Sequence, residues 1–156
     1  ADVAHAVESL SVVAPVLAPS PAGNGMADAA RRLKNARTCY GHLAGRLGVA
    51  LADALIAQRW IADDGHRYRV TPTGTRSLHA LGIDVRSRRA EAPARRCIDW
   101  TERRPHVAGP VGLALAKLAL DRGWLRRVRG TRAVAVTGLG RTHLAKAFNL
   151  RWEERP

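Results

Sequence analysis

Two stretches decide the fold: His42-Leu-Ala-Gly-Arg-Leu-Gly-Val-Ala-Leu51 and His106-Val-Ala-Gly-Pro-Val-Gly-Leu-Ala-Leu115 align without a gap at an offset of 64 residues. The same register continues to Trp60-Ile61, which matches Trp124-Leu125. An internal repeat of this kind indicates a duplicated structural unit. We therefore expect two copies of one motif in this chain.

Each repeat predicts the same series of elements. A lead-in helix ends near a cysteine, a second helix runs from about His42 or Pro110 to the tryptophan, and a two-stranded hairpin and a further helix follow. A buried helical stripe is indicated by leucines that recur every four residues: Leu43, Leu47, Leu51 and Leu55. The turn sequence Asp63-Asp64-Gly65 predicts the hairpin.

Helix, two-stranded wing and helix form the back half of a winged helix. The sequence thus predicts an α+β, mainly helical protein in which an N-terminal helix precedes two tandem winged-helix-like repeats, at residues 26–84 and 85–156. Only eleven residues separate Val49 from Ile61, too few for a turn and a full recognition helix. Sequence-specific DNA readout by these repeats is therefore not expected.

The N-terminal segment differs from the rest, because residues 1–30 hold three acidic residues and no Lys or Arg. Apolar residues at helical spacing, followed by Pro15, predict a short helix at residues 1–14: Val3, Val7, Leu10 and Ala14. A helix this short needs a partner surface to be stable. Residues 15–25, PVLAPSPAGNG, are rich in Pro and Gly and predict a linker.

Composition limits the class of protein. The 156 residues carry a formal net charge of +13 and are 46% apolar, which fits one or two small folded domains and excludes a large multidomain enzyme. Most of the basic residues are Arg, which favours phosphate or carboxylate partners. Two cysteines indicate a reducing compartment rather than a disulfide framework. We expect a cytoplasmic protein that does not contact a membrane.

Two further patterns resemble a known family. Gln58-Arg59-Trp60-Ile61, a short glycine turn and the stretch from Tyr68 to Gly74 resemble the wing of winged-helix transcriptional regulators. RTCYGHLAG at residues 37–45 and RCIDWTERRPH at residues 96–106 are similar to the C-terminal region of a branch of the ArsR-type (arsenical-resistance-repressor) family. The resemblance covers nearly the whole chain, although Gly41 stands where that pattern has Asp.

The resemblance implies a function. In such regulators a DNA-reading winged helix comes first, its last helix helps to form a homodimer, and a region like this chain follows. Residues 1–14 would be that dimerisation helix. The chain would be the effector-sensing and dimer-forming region of a repressor that binds DNA through the intact regulator.

Cys39 with His42, and Cys97 with His106, occupy equivalent places in the two repeats. A pseudo-two-fold arrangement would bring four soft ligands together, a set that suits zinc or another thiophilic metal. The alternative is simple packing, since cysteine is among the most buried residue types. The sequence alone therefore assigns no cofactor.

Two other candidate sites follow from residue type. Tyr40, Trp100 and Asp99 are candidates for a small-molecule pocket between the repeats. Phosphate contacts are predicted for a cluster on the second wing, with a merely solvated basic surface as the alternative: Arg126, Arg127, Arg129 and Arg132.

Two other functions remain open at this point. The chain could be a metal- or small-molecule-sensing module without DNA affinity, or it could bind nucleic acid nonspecifically through its Arg residues. The sequence holds no G-x-S-x-G or H-E-x-x-H motif. We therefore expect that the protein is not an enzyme.

Overall fold

The computed structural model describes residues 24–85 and 93–155, together with Leu10. Apart from Leu10 and residues 24 and 25, the predicted dimerisation helix and linker lie outside the described residues. The helices are α1 (Asn24–Asn35), α2 (Gly45–Ala57), α3 (Pro72–Ala80), α4 (Gly109–Asp121) and α5 (Gly138–Phe148). No helix in the described ranges has both the length and the apolarity needed to span a bilayer.

Eight short strands form four separate antiparallel hairpins in the described part of the chain. The strands are β1 (Arg37–Cys39), β2 (His42–Ala44), β3 (Ile61–Asp63), β4 (Tyr68–Val70), β5 (Arg95–Ile98), β6 (Pro105–Ala108), β7 (Leu125–Arg127) and β8 (Val134–Val136). Each strand pairs with its neighbour in sequence. The order hairpin, helix, hairpin, helix therefore occurs twice, which confirms the predicted mixture of helices and two-stranded hairpins. The assignment of each repeat to the winged-helix class stays a prediction.

The region around the first cysteine corrects one expectation. We predicted a lead-in helix ending near Cys39 and another helix beginning at about His42. Both helices are present, but α1 ends at Asn35 and α2 begins at Gly45, because the residues between them form the β1–β2 hairpin, in which Cys39 faces His42. The hairpin turns at Tyr40 and Gly41, whose φ angles are 48° and 95°. A two-residue turn with positive φ at both positions is the type I′ turn that fits strand twist. The sequence did not predict this hairpin because Tyr-Gly is not among the usual hairpin signals.

Matching threonines begin the last helix of each repeat. The Thr71 hydroxyl accepts a hydrogen bond from the backbone N–H of Gly74 at 2.9 Å, and Thr137 accepts one from Gly140 at the same distance. A Cβ at Gly74 would lie only 1.9 Å from the Trp60 carbonyl oxygen. Glycine is therefore required where this helix approaches the residue before the second hairpin.

The two repeats pack around a common centre. Helix α2 packs against β6 of the other repeat, and α4 packs reciprocally against β2. A Cβ placed on Gly48 would lie 3.5 Å from the Cβ of His106, and one on Gly112 would lie 3.2 Å from the Cβ of His42. This reciprocal packing gives the molecule a pseudo-two-fold centre, where the hairpins that carry the cysteines meet.

Candidate metal centre

The structure brings the four predicted metal ligands together at the pseudo-two-fold centre. The β1–β2 register pairs Cys39 with His42, and the β5–β6 register pairs Cys97 with His106. One ligand atom from each residue lies within 4.8 Å of all the others, and all four side chains are buried. Both cysteines are reduced. The arrangement offers two thiols and two imidazoles to a single point.

The two imidazoles approach each other edge to edge. Nε2 of His42 lies 3.0 Å from Nε2 of His106, so a ring nitrogen from each repeat points toward the centre. The other ring nitrogen of His106, Nδ1, lies 3.5 Å from Oδ2 of Asp99. That separation exceeds a normal hydrogen bond, but it places a carboxylate directly behind this imidazole.

Asp99 is fully buried and holds its charge through many hydrogen bonds. Its oxygens accept from the Arg37 guanidinium at 2.8 Å and from the Gly45 backbone N–H at 2.6 Å. The Thr101 hydroxyl and the backbone N–H groups of Thr101 and Glu102 also donate to it. Burial raises the pKa of Asp99, but Arg37 and these hydrogen bonds outweigh it and bring the pKa from 3.8 to about 2. Asp99 is thus a carboxylate that joins the two repeats.

Arg37 was missed by the sequence analysis. Its side chain is almost completely buried, donates to the Leu33 carbonyl at 3.0 Å and lies 4.8 Å from the ring centroid of Trp100. The residue at the matching place before Cys97, Arg95, is exposed. The two arginines differ only in their surroundings, so sequence position gave no signal as to which one is buried.

The predicted small-molecule pocket is only partly assembled. Arg37 contacts both Asp99 and Trp100, which are adjacent in the sequence, whereas Tyr40 lies half-exposed in the turn of the other hairpin. A cavity of about 390 Å³ lies elsewhere, between the end of the first repeat and α4, and none of these three residues lines it. The pocket assignment stays a prediction.

The predicted phosphate-binding arginines are exposed on the β7–β8 hairpin: Arg126, Arg127, Arg129 and Arg132. The chain carries no acidic residue between Arg122 and Val136. The β3–β4 hairpin differs, because Asp64 forms ion pairs with Arg67 and Arg69. The β7–β8 hairpin, which is the second wing, is therefore more positive than the β3–β4 hairpin, which is the first wing.

Comparison with known proteins gives one informative relative. The chain is 38% identical over 118 residues to the uncharacterized HTH-type transcriptional regulator YdfF of Bacillus subtilis (strain 168). The match covers 74% of this chain and 52% of that protein, so the chain spans about half the length of this relative. No protein-family profile matches the chain. No solved structure matches it either.

Proposed function

We propose that this chain is the effector-sensing and dimer-forming part of an HTH-type transcriptional regulator, of the ArsR type and acting as a repressor. The observation that carries the proposal is the 38% identity over 118 residues with a curated HTH-type regulator. The motifs around Cys39 and Cys97 support the ArsR type. The intact regulator binds promoter DNA as a homodimer and works in the cytoplasm, where thiols stay reduced.

The order of helices and hairpins supports a sensing role for this chain and base readout by another part of the regulator. Each repeat has one helix between its two hairpins, α2 in the first and α4 in the second. A helix-turn-helix needs a positioning helix joined by a tight turn to a recognition helix, but within the described residues a hairpin separates α1 from α2, α2 from α3, and α4 from α5. Base readout therefore belongs to another part of the intact regulator.

The pseudo-two-fold centre is the place where an effector would act. Its thiols and imidazoles come equally from the two repeats, so any ligand that binds them fixes one hairpin relative to the other. A ligand that prefers one arrangement of the hairpins shifts the population toward it. In this way the buried cluster can control the DNA-binding part.

The first test measures DNA binding by fluorescence anisotropy, across a salt series. This chain is titrated onto a duplex from its own upstream promoter and onto a scrambled duplex of equal composition. We expect equal affinities for the two duplexes, or no binding. A promoter preference of about a thousandfold or more, the range of specific sites, would overturn the proposal by assigning base readout to this chain.

The second test addresses the effector role in the intact regulator. Variants Cys39→Ser and Cys97→Ser should keep operator affinity while losing its response to thiol-directed ligands. His66→Ala serves as the control because His66 is exposed and lies in the first wing. A response that survives in both cysteine variants would contradict an effector role for the buried cluster.

A second candidate function is nonspecific nucleic-acid binding through the β7–β8 hairpin. The exposed arginines of that hairpin favour it, because the sequence between Arg122 and Val136 holds no acidic residue. This function requires equal affinity for both duplexes and a steep loss of binding as salt rises.

A further inference from the structure

We propose that one Zn²⁺ ion binds between the β1–β2 and β5–β6 hairpins, held by the thiolates and imidazoles of Cys39, His42, Cys97 and His106. Asp99 acts as a positioning residue for His106. This inference rests on the proposed function for its regulatory meaning, because it names the ligand class of the effector site. The binding site itself is argued from the structure alone.

The donor set and its spacing fit a closed tetrahedral site. Zn²⁺ binds cysteine sulfur at about 2.3 Å and histidine nitrogen at about 2.0–2.1 Å, which places neighbouring donors roughly 3.3–3.8 Å apart in a tetrahedron. The four donors lie within 4.8 Å of one another. Closure around an ion therefore needs side-chain shifts of about an ångström, and four protein ligands leave no open position.

The Asp99 carboxylate lies next to Nδ1 of His106, which is the position of an outer-sphere hydrogen-bond partner of a metal-bound histidine. Metal-bound histidines usually donate their second ring N–H to a carboxylate, which fixes the ring and raises its basicity. Nδ1 of His106 is buried, has no partner at hydrogen-bond distance and lies 3.5 Å from Asp99. Binding through Nε2 makes Nδ1–H the donor, and a small movement of the ring completes this hydrogen bond.

Charge balance favours a divalent ion. On binding, each thiol loses a proton to solvent, and the two thiolates together neutralise Zn²⁺ while the imidazoles stay neutral. The charge of Asp99 is already matched by Arg37. The complete site is then electrically neutral, as a buried location requires.

The residues that pack against the two cysteines are small and apolar. Ala44 and Ala108 pack with the two cysteines in a buried cluster, and Gly48 and Gly112 allow the central helices to approach the histidines. All four donor side chains are buried, and a hydrophobic shell around a metal site limits the access of solvent to it.

The experiment uses the whole chain, stripped of metal by a chelator and kept reduced with a phosphine. Co²⁺ is titrated as a spectroscopic probe, and Zn²⁺ affinity is measured by competition with a chromophoric chelator. We expect one equivalent of either ion, with thiolate-to-cobalt charge-transfer bands and the intense visible bands of tetrahedral Co²⁺. The chain has only two cysteines, so the charge-transfer bands report on them alone.

Variants then assign the ligands. Cys39→Ser and Cys97→Ser should each weaken the charge-transfer bands, and His66→Ala should leave both affinity and spectrum unchanged. Asp99→Asn should lower Zn²⁺ affinity about 10- to 100-fold while keeping the tetrahedral cobalt spectrum, which removal of a ligand would not. If Asp99→Asn fails to fold, titrations of the unmodified chain and of the cysteine variants still decide whether Zn²⁺ binds at this site.

Two results would overturn the inference: no stoichiometric binding under reducing conditions, or undiminished binding by the double cysteine variant. Failure of the proposed function looks different. Zinc that binds at one equivalent without changing operator affinity in the intact regulator supports the site and removes its effector role. An operator response to thiol reagents in a protein that binds no zinc supports the effector role and removes the zinc site.

Discussion

At the scale of single residues, the buried pair of Asp99 and Arg37 carries the largest expected energetic consequence. Asp99→Ala should lower the free energy of unfolding by about 3–5 kcal/mol, because it leaves the Arg37 guanidinium buried without its counter-charge. Asp53→Ala is the matched control: Asp53 pairs with Arg104 at the same 2.8 Å, but both side chains are largely exposed. That variant should change stability by less than about 1 kcal/mol. Urea unfolding measures both, and equal losses would contradict the assignment.

Because the Tyr68 hydroxyl is buried, we predict that the fold loses stability in alkali. Its side chain is 1% exposed, and burial raises the pKa of its hydroxyl from 10.0 to about 12. A raised folded-state pKa stabilises the fold fully below pH 10, and this contribution is lost as pH rises from 10 toward 12. In this window the free energy of unfolding should fall by about 2 kcal/mol more in the natural chain than in Tyr68→Phe. Parallel pH profiles of the two proteins would exclude this role.

The sequence predicted the candidate metal ligands of the site but not the buried arginine that supports them. Cys39, His42, Cys97 and His106 were identified because the repeat places them at matching positions. Arg37 was not identified from the sequence, because its burial depends on Asp99, which lies 62 positions away in the other repeat. Interactions between distant parts of the chain leave no local pattern, so the ligand set was predictable and its electrostatic support was not.

At the scale of elements, periodicity and turn chemistry predicted the long central helices and the wings. The β1–β2 and β5–β6 hairpins were missed although their strands are about as short as those of the wings. The first wing carries the recognisable turn sequence Asp63-Asp64-Gly65, whereas the β1–β2 hairpin turns at Tyr40-Gly41, which is not a usual hairpin signal. Gly41 is needed there, since its φ is 95° and a Cβ would lie 2.9 Å from the side chain of Leu113. Short strands set by packing across repeats are not visible in local periodicity.

We predict that arginines of the β7–β8 hairpin contribute more to the salt dependence of nucleic-acid binding than those of the β3–β4 hairpin. The double variant Arg126→Ala/Arg127→Ala should reduce the slope of log K against log salt by about two, because each arginine that binds a phosphate contributes about one to that slope. The control, Arg67→Ala/Arg69→Ala, should change it less, because Asp64 already pairs with those arginines. Anisotropy with one duplex over a salt series measures both, and equal changes would refute a special role for the second wing.

At the scale of the whole molecule, the two repeats behave as halves of one body. Each central helix packs on a strand of the other half, and the carboxylate of Asp99 in the second half accepts hydrogen bonds from Arg37 and Gly45 in the first. Neither half can therefore complete the centre alone. A cluster built in this way responds to the relative position of the halves, which is the property that an effector site needs.

The last prediction concerns self-association of the whole molecule through its N-terminal segment. The sequence predicts an apolar stripe on residues 1–14, and its one described member, Leu10, is 66% exposed. If the stripe forms the dimer interface, Leu10→Lys places a charge in an apolar surface and loses about 1.5–3 kcal/mol of burial, which weakens the dimer roughly 10- to 100-fold. Leu139→Lys is the control, because Leu139 is also an exposed leucine, at 51%, but lies on α5. Light scattering at micromolar concentration should show a dimer for the natural chain and Leu139→Lys, and mainly monomer for Leu10→Lys. A monomeric natural chain would contradict the dimer, and a dimer in Leu10→Lys would place the interface on another surface.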